Sequence, residues 1–263
     1  MRFKVTNPLY FMVEIINFAK KISLIIFFLF SQNVHAKIKI FAAENPPLIM
    51  QDKQNKITGI GGDIFVNSLN LLNDEYEIVW LPWLRAFEEC KKNKNSLLIP
   101  IGGNKENKKI FNLFGELYED SVHFFTISPQ REIKTFAEIN KLTSLGMISG
   151  APFADIVENY GLKDKLEISY NGELLITKLK NNRIDSIIIT KLLGTFKLLN
   201  AKVDFNNIQK GISIGTMKWF IAANKDFPKG QLNKLKNKLE KFRKTEKYQQ
   251  ILTKYFSVTK KKD

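Results

Sequence analysis

Residues 80–103 read WLPWLRAFEECKKNKNSLLIPIGG, and the order of residue types in this stretch decides the fold class. An apolar, β-prone run from Tyr76 to Leu81 stops at Pro82, and a helical pattern carrying Arg85 begins at once. A second apolar run, Leu97 to Ile101, follows and breaks at Gly102-Gly103. Strand, helix and strand in so short a span is the repeat of an α/β sheet, where ligands lie beyond the carboxyl ends of the strands. An aromatic residue (Trp83), an arginine and a glycine turn meet in that position. The stretch therefore reads as one wall of a small-molecule cleft.

The flanking sequence extends the same pattern. Upstream, Lys37 to Ala42 alternates as a first strand and runs into the rigid Glu44-Asn45-Pro46-Pro47. Gly59 and Gly61-Gly62 punctuate a turn, Asp63 stands where an N-cap belongs, and Ile64, Phe65, Leu69 and Leu72 recur at helical spacing. Downstream, residues 104–110 read as a polar loop, followed by an alternating run that is either a strand or irregular, and Ser121 to Ser128 reads as a long strand leaving the first lobe. A second series follows: a short helix over 136–140, strand 142–148, helix 152–160, strand 166–169, helix 172–180, strand 184–189 and helix 192–199. This alternation predicts a second parallel α/β sheet. Gly211 to Ala223 reads as a strand pair crossing back, and two lysine-rich helices, 229–242 and 244–256, close the chain.

Composition narrows the class further. The 263 residues are 44% hydrophobic and 25% charged, an ordinary globular balance. The formal charge of +15 raises a polyanion site, but the lysines are scattered through ordinary helices and loops, so they read as a solvated surface and no nucleic-acid partner is expected. Only Lys260 to Lys262 form a basic run, read as a terminal tail. Lys20-Lys21, the apolar block Ile22 to Phe30 and Val34-His35-Ala36 form the charged, apolar and cleavage regions of a secretory signal over residues 1–36, with translation starting at Met1 or Met12 and cleavage expected after Ala36. The sole cysteine, Cys90, permits no intrachain disulfide, and none follows the apolar block to carry a lipid. No His, Cys and acid cluster has metal-ligand spacing, and neither a nucleophile elbow nor a phosphate loop is present. The expectation is no cofactor, no metal and no catalytic residue.

Several segments together resemble the family 3 extracellular solute-binding proteins: AENPPLIM at 43–50, GIGGDIF at 59–65, LPWLRAFEE at 81–89, the loop from Gly102 to Lys109 before FNLFGELY, LGMISGAPF at 145–153, NNRIDSIII at 181–189 and KYQQILTKYF at 247–256. The resemblance implies a two-lobed type II periplasmic binding fold, each lobe a mixed sheet flanked by helices, joined by two crossing strands. It places lobe 1 at 37–125, lobe 2 at 126–216, and the return crossing and C-terminal helices of lobe 1 at 217–263. It also implies a monomeric periplasmic protein that captures a small polar or anionic solute, amino-acid-like or related, for an ABC importer with its permease in the inner membrane. Two alternatives stay open: a sensing module without a transporter, and a dehydratase-like enzyme of the same fold using Glu44 or Glu173 as an acid.

The resemblance also locates a site, with departures. The family's carboxylate-binding arginine falls at Lys108, six residues before Phe114, and its hydroxyl positions in the same loop fall at Gly103 and Asn104. A lysine keeps the charge but loses the bidentate fork. The second-lobe anion site falls at Gly150-Ala151-Pro152-Phe153, leaving the backbone of Ala151 as a donor and the Phe153 ring as a stacking face. The family's ammonium-binding aspartate falls at Thr190. From the residues themselves, Trp83 is the exposed aromatic of the opening stretch. Arg85 either reaches the cleft or pairs with Glu88 or Glu89. Glu44 either touches ligand or holds the Gly59 loop. Trp80, Trp219 and His123 read as packing residues.

Overall fold

Two antiparallel strands of 16 residues each hold the molecule together. The computed structural model describes residues 37–70, 76–130 and 132–259; the expected signal peptide with its cleavage point, the choice between Met1 and Met12, and the Lys260–Lys262 run lie outside the described residues. In chain order the first part comprises β1 (Ile38–Ala42), β2 (Met50–Gln51), β3 (Ile57–Thr58), α1 (Gly59–Leu69), β4 (Tyr76–Trp80), α2 (Trp83–Lys92), β5 (Ser96–Gly102), α3 (Lys105–Ile110) and the long β6 (Asn112–Ile127). The second part comprises α4 (Phe136–Ile139), β7 (Leu145–Ile148), α5 (Ala154–Asn159), β8 (Leu166–Ser169), α6 (Gly172–Lys180), β9 (Ser186–Thr190) and α7 (Lys191–Asn200). The chain returns along β10 (Ile208–Ala223) and ends in α8 (Lys229–Phe242) and α9 (Glu246–Phe256).

Eight strands form one mixed sheet in the order β4-β1-β5-β10-β6-β9-β7-β8, and β2 and β3 pair separately. The two parallel sets, β4-β1-β5 and β9-β7-β8, are those expected of two α/β lobes. The second sheet is not separate, however: β9 pairs antiparallel with the far half of β6, so the crossing strands weld the two sets together. The expected return pair is likewise a single strand, β10, laddered along β6 with register shifts on the way. At the crossing, His123 binds across the ladder, with Nδ1 2.7 Å from the Gly211 carbonyl and Nε2 2.8 Å from Ser121 Oγ. Burial pushes its pKa below the ordinary imidazole value.

Three sequence readings are corrected here. Helix α1 starts at Gly59, four residues before Asp63, because the Ile60 and Gly61 N–H groups donate to the carbonyls of Pro47 and Leu48. Gly59 has φ +89°, and a Cβ there would lie 2.7 Å from the Leu48 carbonyl oxygen, so the glycine is required by close approach. Asp63 instead accepts from Lys254 Nζ and Tyr255 Oη, tying α9 to α1. Residues 104–110, read as a loop, form α3, and β6 begins nine residues before Ser121.

Helix α2 buries Ala86 and Cys90 against Phe41, Leu98 and Ile101. Burial pushes the Cys90 thiol up to about 11, leaving almost no thiolate at neutral pH. An aromatic disulfide reagent is expected to leave Cys90 unmodified in the native protein and to titrate one thiol in denaturant; rapid labelling of the folded chain would contradict this packing.

Candidate functional site

Below the sheet's crossing lies a cleft of about 820 Å³ lined from both halves of the chain. The first half contributes Glu44 after β1, Trp80 at the end of β4, Pro82 and Trp83 at the start of α2, and Gly102 at the end of β5. The second contributes Ser149 to Phe153 after β7, Tyr170 and Gly172 before and at the start of α6, and Leu193 and Lys197 one turn apart on α7. Each lies at the carboxyl end of a strand or on the helix that follows, where an α/β sheet leaves room for a ligand. Trp219 of β10 completes the lining.

Four residues singled out from sequence meet here: Glu44, Trp83, Ala151 and Phe153. Trp83 is 39% exposed, yet its ring is braced edge-on by Phe87 at 6.0 Å, itself edge-on to Phe111 at 5.0 Å. Such pairs hold a ring in place beyond what its buried area does. Glu44 is exposed at the lip. Phe153 and Ala151 are buried, their backbone making the turn that opens α5, with Ala154 N–H donating to Ala151 O.

The other five lie away from the lining. Arg85 stands two residues from Trp83, more than half a helical turn around, and faces an outer groove with Lys39, Glu77, Glu88, Glu89 and Lys92. Lys108 is exposed on α3, and its carbonyl accepts from Lys225 Nζ. Asn104 caps α3 by accepting from the Asn107 N–H at 2.8 Å. Gly103 N–H donates to the Lys218 carbonyl, and a Cβ there would lie 2.3 Å from the Phe220 ring. Thr190 is fully buried at the N-terminus of α7.

Trp80, Asn107, Trp219 and Lys197 are among the lining residues that were not singled out as ligand contacts. Trp80 is half-buried, with Nε1 donating to the Asn55 carbonyl. Asn107 donates from Nδ2 to the Gly102 carbonyl, fixing the turn after β5. Trp219, read as packing, is 6% exposed and also borders the cleft; its indole Nε1 is buried with no hydrogen-bond acceptor among the described residues. Lys197 is half-buried and is the one cation among the described lining residues. Burial lowers its pKa, opposed by the charge of Glu173. The sequence signal for Lys197 was a single charge within LLGTFKLL, at helical spacing from Leu193.

Gly102 marks where the two halves touch over the cleft. A Cβ on this glycine would lie 2.0 Å from Pro152 Cβ and 2.5 Å from Pro152 Cγ, so the backbone after β5 lies directly against the turn that follows β7. Among the described residues no group of three or more His, Cys, Asp or Glu side chains could hold a metal, and no helix is long and apolar enough to cross a membrane.

The family model for bacterial extracellular solute-binding proteins, family 3, matches residues 38–258. No curated protein sequence matches the chain. Among solved structures, a histidine kinase sensor domain with similarity to periplasmic binding proteins aligns with a TM-score of 0.70 at 13% identity, covering 85% of this chain and 97% of that one. An arginine transport system periplasmic binding protein from Legionella pneumophila aligns at 0.69 and 17% identity, covering 84% and 99%. An ancestral amino acid-binding protein, a precursor of cyclohexadienyl dehydratase, aligns at 0.67 and 15% identity, covering 84% and 95%. At these identities the likeness is one of fold.

Proposed function

The chain belongs to the bacterial extracellular solute-binding proteins of family 3, and from this premise we propose that it is exported to the periplasm, captures a small polar or anionic solute between its two lobes and delivers it to an ABC-type importer. The observation that carries the reading is the cleft itself, about 820 Å³ and lined from both halves of the chain. That size suits a small-molecule ligand. Lobe 1 runs over 37–125 with 217–263 and lobe 2 over 126–216, so the long strands β6 and β10 act as the hinge. A ligand touching both lobes favours the closed arrangement by its differential affinity for that state. Glu44, Trp83, Ala151 and Phe153 make the first contacts, and the protein acts as a monomer that binds without turnover.

The direct experiment is a thermal-shift screen of residues 37–263 against amino acids, monocarboxylates, dicarboxylates, polyamines and oligopeptides. A ligand at a hundred times its Kd stabilises the folded state by about 2.7 kcal/mol. No shift with any of these classes would overturn solute capture. Trp83→Ala is expected to weaken the selected ligand roughly tenfold, the loss of about 1–2 kcal/mol of aromatic contact, with the ligand-free melting temperature little changed because the ring is already partly in water. Isothermal titration would check it; wild-type affinity in this variant would remove Trp83 from the site.

A further inference from the structure

The cleft's polar groups are unevenly matched. One half-buried ammonium, Lys197, lines it with no hydrogen bond or salt bridge to any described residue. Its nearest acid in charge effect is Glu173, which is exposed and too far away to form an ion pair. A Cβ on Gly172 would lie 3.7 Å from Lys197 Nζ, which places the ammonium beside the first residue of α6. That helix has nine residues, and Asn171 Oδ1 already accepts from the N–H groups of Glu173 and Leu174. A helix N-terminus adds positive potential to the lysine's own charge. On the crossing strand β10, the Trp219 indole N–H is a second donor left without an acceptor among the described residues, in a residue more than nine-tenths buried.

Acceptors for a ligand cation are scarce by comparison. Glu44, exposed at the lip, is the one acid among the described lining residues. Thr190, which supplies no carboxylate, is sealed in the core. The lining is rich in apolar side chains: Ile148, Phe153, Ile187, Ile189 and Leu193 from the second half of the chain and Trp83 from the first. Burying a charge without a partner is costly, and burying a donor without an acceptor is costly too. A ligand that brings both a negative charge and a neutral acceptor removes both costs.

We propose, building on the reading of the cleft as a solute site, that its ligand is an organic monocarboxylate with an apolar, ring-sized body and no α-ammonium group, its carboxylate paired with Lys197 beside Gly172 and a neutral oxygen or nitrogen of the body accepting from Trp219 Nε1. Specificity then comes from α7 and from the crossing strand β10, with Lys197 as the charge-recognising residue. Apolar walls accept the ring, and an amine on the same skeleton finds among the described lining residues one carboxylate, Glu44, which is exposed to solvent, so the amino acid loses affinity through the desolvation of its ammonium.

The test uses isothermal titration and thermal shift on residues 37–263 with 4-methoxyphenylacetate, 4-acetylbenzoate and pyridine-3-acetate, whose neutral oxygen or nitrogen can accept, and with phenylacetate, which has none, beside compounds that carry an ammonium: O-methyltyrosine, 3-pyridylalanine, phenylalanine and phenethylamine. At least one carboxylate is expected to bind ten times or more tightly than its amino-acid counterpart, and phenethylamine not at all. Lys197→Gln is expected to lower that affinity at least tenfold, Lys197→Arg to keep most of it, and Trp219→Phe to cost a smaller factor. The ligand-free melting curves of all three variants confirm folding; if Lys197→Gln does not fold, Lys197→Met and Trp219→Phe carry the test, and unchanged affinity in both overturns the assignment. Equal or tighter binding of phenylalanine, no binding of any carboxylate, or a Lys197→Gln protein with undiminished affinity would each overturn it. Binding of an amino acid or polyamine with Lys197→Gln unaffected would sink this ligand class while leaving solute capture standing; silence from every class in the wider screen would sink both.

Discussion

Gly102→Ala is expected to weaken capture of the selected ligand by at least about tenfold while leaving the ligand-free melting temperature nearly unchanged. The added methyl would sit 2.0 Å from Pro152 Cβ and 2.5 Å from Cγ, far inside the ordinary carbon–carbon contact distance of about 3.5–4.0 Å. Neither side gives easily, since Pro152 is a closed ring and Gly102 ends a buried central strand. Overpacking of this kind typically costs about 1–3 kcal/mol, and about 1.4 kcal/mol is a factor of ten in affinity. The clash lies between segments that meet only across the cleft, so it is relieved by the lobes parting and acts on closure more than on the folding of either lobe. Small-angle scattering with ligand present should give a larger radius of gyration than for the wild type. Pro152→Gly in the same chain should restore much of the affinity, a coupling that a double-mutant cycle reads directly. Wild-type affinity in Gly102→Ala would mean that this contact plays no part in the bound state.

The second large effect concerns Asp120, a carboxylate 3% exposed on β6. Its Oδ2 accepts from Leu192 N–H at 2.9 Å and its Oδ1 from Ser121 N–H, so it anchors the first turn of α7 to the crossing strand. Burial holds its pKa up at about 6 against an ordinary 3.8, despite the Leu192 hydrogen bond pulling the other way. The folded state therefore keeps a proton that the unfolded chain has released between pH 3.8 and about 6. Stability falls as pH rises wherever the folded state binds more protons. The contribution of Asp120 is thus fully present below about pH 4 and lost as pH rises through about 6, a swing on the order of 3 kcal/mol at 1.36 kcal/mol per unit. Asp120→Asn keeps an acceptor for Leu192 and removes the titration. Urea denaturation of both proteins at pH 4, 5, 6 and 7 should show the wild type losing ground to the variant across that range. Parallel curves would show that Asp120 ionises freely in the fold.

Much of this architecture was legible in residue order, and the failures have physical causes. Helices α6 and α8 begin and end at the residues read for them, 172–180 and 229–242. The first half of β6 was harder to read because Gly115, Glu116 and Glu119 interrupt its pattern. Glu116 is tolerated there through ion pairs with Lys218 and Arg243, more than a hundred residues away in sequence. Asp63 was read as a cap for the same reason: its partners are on α9. At the cleft, Glu44 was singled out from its place after the first strand and Ala151 from the family resemblance, and both are lining residues. Lys108 depends on the phase of α3, which a count along the chain does not supply while residues 104–110 are read as a loop, and Arg85, on a helix that was read, is turned to the outer groove by its two-residue offset from Trp83. Lys197 was overlooked because a lysine in an apolar helix looks like a surface charge until the sheet is seen to fold it inward.

Ser128 N–H, just past β6, donates to the carbonyl of Asn207, just before β10, at 2.9 Å. The whole excursion through β7, β8 and β9 therefore leaves and re-enters at a single point, like a loop pinched at its neck. Such an excursion can open and reclose while the strand ends of the other lobe stay clasped, since the entropy of bringing them together is held by the neck and by the β6–β10 ladder. The chain is in this sense built as a host with a guest, in which β7 and β8, beyond the β6–β9 ladder, can lose order in a sub-global step of their own. Hydrogen exchange should accordingly resolve two cooperative blocks, with the ladder and β1, β4 and β5 in the slower one.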